Sequence, residues 1–98
     1  MEIKLMRLVT GEDVLAEIVD SGDVGVQIRN PLIVYIRPTE TGVPSVGLSQ
    51  WIPYSADKEF TVKHDKIVVT SNPAEDLRTQ YDRVYGAGII MPSTTLTA

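Results

Sequence analysis

The chain has 98 residues, nine Lys and Arg against 13 Asp and Glu, and a formal net charge of −4. Its length fits one small domain, and the acidic balance excludes a uniformly basic coat for nucleic acid while leaving room for a local basic patch. It contains no cysteine, which excludes disulfides and thiolate metal sites, so a partner subunit is the expected supplement to a small core.

Ile3 to Val9 reads as a strand with apolar groups on both faces, and so one covered on both sides. Thr10-Gly11-Glu12-Asp13 is a turn in which Gly11 is free to take a positive φ. Val14 to Val19 is the return strand, and Asp20-Ser21-Gly22-Asp23 the next turn. Val24, Val26 and Ile28 alternate with Gly25, Gln27 and Arg29 until Asn30-Pro31 interrupts. Pro31 has no N–H for a ladder, so a bulge, an edge or a break is expected there. Leu32 to Ile36 is continuously apolar and is read as a fully buried strand.

Pro38 to Pro44 is an expected loop. Val46, Leu48, Gln50 and Ile52 alternate as a strand ended by Pro53. Trp51 is out of phase with them and is expected to point away from the core, towards a neighbouring subunit or a ligand. Phe60 to Lys63 and Lys66 to Thr70 are two short strands about the turn at His64-Asp65. Asn72, Pro73 and Glu75 have the spacing of a helix start with a capping box. Leu77, Tyr81 and Val84 then form one apolar stripe, and Gly86 suits the stop. Ile89 to Met91 is read as a short additional strand.

The reading is a mainly β fold: a small, strongly bent antiparallel barrel of about five strands with one C-terminal helix near 73–85, the alternative being an open sheet with a helix across one face. One domain is expected over residues 1–92, with 93–98 as a flexible tail. No apolar run approaches the roughly 20 residues of a membrane helix, so no membrane partner is expected. No basic-then-apolar leader stands at the start, and a cytoplasmic location is expected.

Catalytic chemistry has little to work with. The one histidine, His64, lies in a charged turn, a poor place to desolvate a base. Its neighbour Asp65 points to the opposite face of a strand, which argues against a shared metal. Gly86-Ala87-Gly88 follows a helix where a dinucleotide loop would open one. No enzyme activity, cofactor or metal is expected.

Two stretches suit binding. Lys63, His64 and Lys66 bring two ammonium groups and an imidazole to one strand-to-strand turn, where they are able to meet phosphates and a base. The bland reading of that stretch is a solvated charged hairpin. Arg29-Asn30 adds an amide with both a donor and an acceptor; its bland reading is turn chemistry before proline.

The layout resembles the Sm/LSm family. Leu5 to Ile18 around Gly11 is similar to that family's strand–Gly-turn–strand opening. Val62-Lys63-His64 followed by Ile67-Val68-Val69 is similar to its second motif, which carries Lys-His in the bacterial RNA chaperone Hfq. Over nearly its full length the chain resembles the Sm-like proteins of marine cyanophages, on Leu5 to Val14, Asn30-Pro31-Leu32, Trp51-Ile52-Pro53 and Tyr85 to Ile90. The resemblance implies a five-stranded barrel that pairs edge strands with copies of itself into a homo-oligomeric ring, from pentamer to heptamer. It implies single-stranded RNA as a partner and, if the chain is phage-encoded, a host cytoplasm as its location. It places Lys63 and His64 on base-pocket positions and Asn30 on the base-reading Asn of the first motif. The chain departs from the family where Val26 stands for the usual Asp, Ile28 for the usual stacking residue, and the helix follows the barrel. A protein-interaction or phage-assembly module on the same barrel is the rival expectation.

Overall fold

The computed structural model describes residues 2–85, so the strand expected at 89–91 and the tail expected at 93–98 lie outside the described residues. The chain opens with an antiparallel hairpin, β1 (Ile3–Leu8) and β2 (Asp13–Ser21), registered from Ile3↔Glu17 to Arg7↔Asp13. Gly11 turns it at φ 91°. Its N–H donates to the Leu8 carbonyl, and the Leu8 N–H donates to that of Glu12, both at 2.9 Å. A residue with a Cβ is strained at that φ.

The next strand, β3 (Gly25–Arg37), is 13 residues long and pairs with β2 along its length, with two register shifts. Extra residues at such shifts increase twist and bend a strand. On its other side β3 has two partners in succession. β5 (Glu59–Lys63) runs against Gly25 to Arg29, and β4 (Ser45–Gln50) runs against Leu32 to Arg37. Between the two lengths stand Asn30, at φ 52°, and Pro31. Asn is among the few residues with a Cβ that take this conformation readily, and Pro31 removes one ladder donor. The expected interruption is thus a bend, and β4 and β5 act as one strand split by residues 51–58. A single turn of 3₁₀ helix at His64–Lys66 leads into β6 (Ile67–Ser71), which returns to pair with β1. The order is β4-β3-β2-β1-β6, with β5 also on β3. Six short strands with one split across the bend are the small bent barrel expected, with the expected helix, α1 (Glu75–Tyr85), after it.

Both faces of the sheet are apolar because both are covered. Inside the curl, Met6, Leu8, Val14, Ala16, Ile28 and Val62 form one cluster, with Trp51, Phe60 and Ile67 packed on it. On the other face Ile3, Leu15 and Leu32 meet Leu77 and Tyr81 of α1. Alternate residues of β1 and β2 therefore feed two separate clusters.

Four local expectations are corrected. Leu32 is buried, but Tyr35 and Ile36 are exposed, Ile36 by 73%. They lie opposite Gly47 and Val46 of the edge strand β4, where Tyr35 only borders a recess beside α1. β4 stops at Gln50, before Ile52. Trp51 does not point away from the core: it packs edge-on against Phe60, centroids 5.9 Å apart, because the chain leaves strand geometry at Trp51 and strand phase no longer applies. Asn72 does not cap the helix. Arg78 N–H donates to the Ala74 carbonyl, which makes Ala74 the cap position, and the Asn72 amide oxygen accepts from Lys4 Nζ on β1 instead.

Arg7 and Asp13, directly opposite on the first hairpin, form a two-pronged ion pair at 2.8 and 3.0 Å. The guanidinium holds the Asp13 carboxyl below its ordinary value of 3.8. A carboxyl depressed in the folded state adds stability above its unfolded pKa and loses it as pH falls through the folded one. Arg7→Ala is therefore expected to lower the urea midpoint at pH 6 and to match the parent more closely at pH 3.

Candidate nucleic-acid interface

Charge pairing sorts the cations first. Of nine Lys and Arg, Lys4, Arg7, Arg29 and Arg78 lie within 4 Å of a carboxylate. The other five, Arg37, Lys58, Lys63, Lys66 and Arg83, have no such partner among the described residues. Arg29 is doubly occupied: it meets Glu59 at 3.0 Å and Glu17 at 3.6 Å. A phosphate at Arg29 would have two carboxylates to displace, which makes Arg29 the least available of the cations singled out in the sequence.

The Lys-His turn is held from both sides. Lys63, the last residue of β5, pairs with Gly25. His64 N–H donates to the Val24 carbonyl at 3.2 Å, and Val9 N–H donates to the Lys66 carbonyl at 2.9 Å. His64 Nε2 lies 2.6 Å from the Gly22 carbonyl oxygen. A carbonyl only accepts, so the proton sits on Nε2. The imidazole thereby fastens this turn to the β2–β3 turn, whose Gly22 N–H donates to the Gly25 carbonyl at 2.9 Å.

The turn also separates its charges. Lys63 and Lys66 line a groove of about 290 Å³ with Val9, Thr10, Thr61, Trp51 and Glu12, whose carboxylate accepts from Trp51 Nε1 at 3.5 Å and lies beyond 4 Å of either ammonium group. His64 lines a different groove, of about 450 Å³, with Met6, Ile18, Val26 and Ile67. The two lysines are brought together, and the histidine faces elsewhere.

Asn30 is remote from both. It follows Arg29, which pairs with Glu59, four residues along β5 from Lys63. At about 3.3 Å per residue that is roughly 13 Å. Its backbone has its own work: Asn30 N–H donates to the Lys58 carbonyl at 2.8 Å, and its carbonyl accepts from Tyr81 Oη at 3.0 Å. Asn30 lines a third cleft, beside residues 51–58. Trp51, expected to face a neighbouring subunit or a ligand, does line the lysine groove, but while packed on the core. Its place there follows from the strand break at Gln50, for which the only sequence signal was Pro53.

A bent antiparallel sheet, a Gly-turned first hairpin and a short turn joining the last two strands beside the β2–β3 turn together define a barrel of the Sm type. The family model described as an Sm-like domain matches residues 5–82, and the chain belongs to that family. No curated protein matches the sequence. Among the described residues no helix is long and apolar enough to cross a membrane.

Proposed function

We propose that this is a phage-type Sm-like subunit that forms a homo-oligomeric ring in the cytoplasm and binds single-stranded RNA, or DNA, without catalysing a reaction. The observation that carries the reading is the pair of ammonium groups, Lys63 and Lys66, with no carboxylate within 4 Å among the described residues, on one groove with an aromatic wall. Phosphates meet the lysines and a base lies against Trp51 and Val9. His64 serves by holding the turn in place, and Asn30 meets the strand only where it runs on beyond the groove. Ring symmetry multiplies a weak site into a circle of weak sites, which is how an acidic subunit gains affinity by avidity.

Edge strands support assembly. Among the described residues β6 pairs only with β1, and β4 and β5 pair only with β3. Val68 and Val69 on β6 are 61% and 53% exposed, and Ile36 and Val46 on the opposite edge are exposed as well. Open edges of this kind invite pairing with another chain. Light scattering is expected to give a multiple of the 10.8 kDa subunit, roughly five to seven.

The test of the site is anisotropy with labelled oligo(U) and oligo(A) across a salt series. The Lys63→Ala/Lys66→Ala variant is expected to bind at least about tenfold more weakly and to show a shallower salt slope. Equal binding by parent and variant would remove the site. Binding by neither at low salt leaves the protein-interaction or assembly module, which the net charge of −4 favours.

A further inference from the structure

The split between β4 and β5 leaves a third recess, of which the reading above uses only Asn30, as a contact for a strand that runs on past the lysine groove. Residues 51–58 arch away from β3 where it bends, and the cleft beneath the arch has a volume of about 170 Å³. Backbone hydrogen bonds fix it at both ends. Trp51 N–H donates to the Pro31 carbonyl at 3.4 Å, and Asn30 N–H donates to that of Lys58 at 2.8 Å. Within the arch, Ser55 N–H donates to the Ile52 carbonyl at 3.2 Å and Asp57 N–H to Ser55 Oγ at 3.0 Å. The recess is thus preformed.

Its lining mixes flat apolar walls with uncommitted polar groups. Pro31, Phe60 and Tyr85 supply the walls. Asn30 and Gln50 line it too, with Asp57, and neither amide makes a side-chain hydrogen bond among the described residues. Lys58, one of the cations with no carboxylate partner, stands at its edge. Two amides, each with a donor and an acceptor, match the edge of a heteroaromatic ring. The volume is below the ~300–1,000 Å³ of sites for drug-sized molecules, so it admits one planar ring and leaves any sugar and phosphate outside. Tyr54, between the cleft-lining Pro53 and Ser55, exposes 98% of its surface. Stacking on a ring seated in the cleft would cover it.

We infer that this cleft is a nucleotide site: Asn30 and Gln50 hold the edge of one nucleobase, Tyr54 closes over its face, and Lys58 meets the phosphate. The site is separate from the Lys63–Lys66 groove and stands or falls independently of RNA binding there.

The chain has one tryptophan, and Trp51 lines the cleft, so its fluorescence reports occupancy. The full chain is titrated with adenosine, guanosine, cytidine and uridine 5′-monophosphates, with ribose 5-phosphate and inorganic phosphate as controls. A saturable change with at least one nucleotide and none with either control is expected. Lys58→Ala is expected to weaken the nucleotide about tenfold and to leave the matching nucleoside unaffected. Tyr54→Ala is expected to weaken both. Because Trp51 also walls the lysine groove, Lys63→Ala/Lys66→Ala is run in parallel and is expected to keep the full response. No saturable change up to millimolar nucleotide, an equal change with phosphate alone, or loss of the response in the Lys63/Lys66 variant would each overturn the assignment.

Discussion

Gly25→Ala is expected to cost about 3 kcal/mol of stability, at the upper end for overpacking a filled site. A methyl group there stands 2.3 Å from the Val62 carbonyl oxygen and 2.9 Å from its carbon. Both are backbone atoms, so no side chain is able to swing aside. Val62 is itself held, buried in the inner cluster and paired with Val26. Relief requires β3 and β5 to part at the Gly25↔Lys63 pair, where the Lys-His turn begins. The loss corresponds to a fall in melting temperature on the order of 15 °C for a domain of this size. Gly22→Ala is the control: a methyl group there meets nothing within 4 Å, and a change within about 0.5 kcal/mol is expected. Thermal and urea unfolding of the two variants decide the matter. A Gly25→Ala protein as stable as the Gly22→Ala one would mean that β5 is not seated on β3 as described.

The second large effect belongs to Tyr81. It is 1% exposed and is the main side chain by which α1 enters the cluster with Ile3, Leu15 and Leu32. Tyr81→Ala is expected to cost about 3–5 kcal/mol, the range for removing a buried ring. The hydroxyl has a separate role. It donates to the carbonyls of Asn30 and Arg29, at 3.0 and 3.3 Å, and so pins the helix over the bend of β3. Burial pushes its pKa up, which keeps the donor protonated at any working pH. Tyr81→Phe keeps the ring and loses only that bond, for about 1 kcal/mol. Urea denaturation of the pair separates the two contributions. Equal losses would place the whole effect in the hydroxyl, and a Phe variant with no loss would place it all in the ring.

Much of the barrel was legible in the sequence because turn chemistry and alternation are local. Gly11, Ser21-Gly22 and the His64-Asp65 turn fall where strands end, and the stripe of Leu77, Tyr81 and Val84 faces the sheet. What escaped was set by distant partners. Leu32 to Ile36 is apolar enough for a core, yet its far end is exposed because it lies opposite the edge strand β4. Asn72 has a cap's spacing, but Lys4, 68 residues away, takes its oxygen. Trp51 was placed by strand phase in a segment that is no longer a strand. The charged turn was visible as Lys-His-Asp-Lys, while the parting of its histidine from its lysines was not. That depends on the Gly22 carbonyl, a backbone atom that no residue type announces. Arg29 looked available for the same reason: Glu17 and Glu59 reach it only through strand pairing.

The pairing of β1 with β6 has a consequence for synthesis. Leu5 meets Ser71, and Arg7 meets Val69, so β1 leaves the ribosome well before β6 and waits for it before its second edge is satisfied. Contacts of such long sequence separation form slowly, because the loop they close must be ordered before they repay it. Until then the nascent chain carries an early strand with one open edge and apolar groups on both faces. The Glu2 and Lys4 charges at its start, and the Arg7–Asp13 pair at its end, bracket that interval. Charges at the ends of an open strand are what keep such an edge from pairing with the chain beside it on the same message.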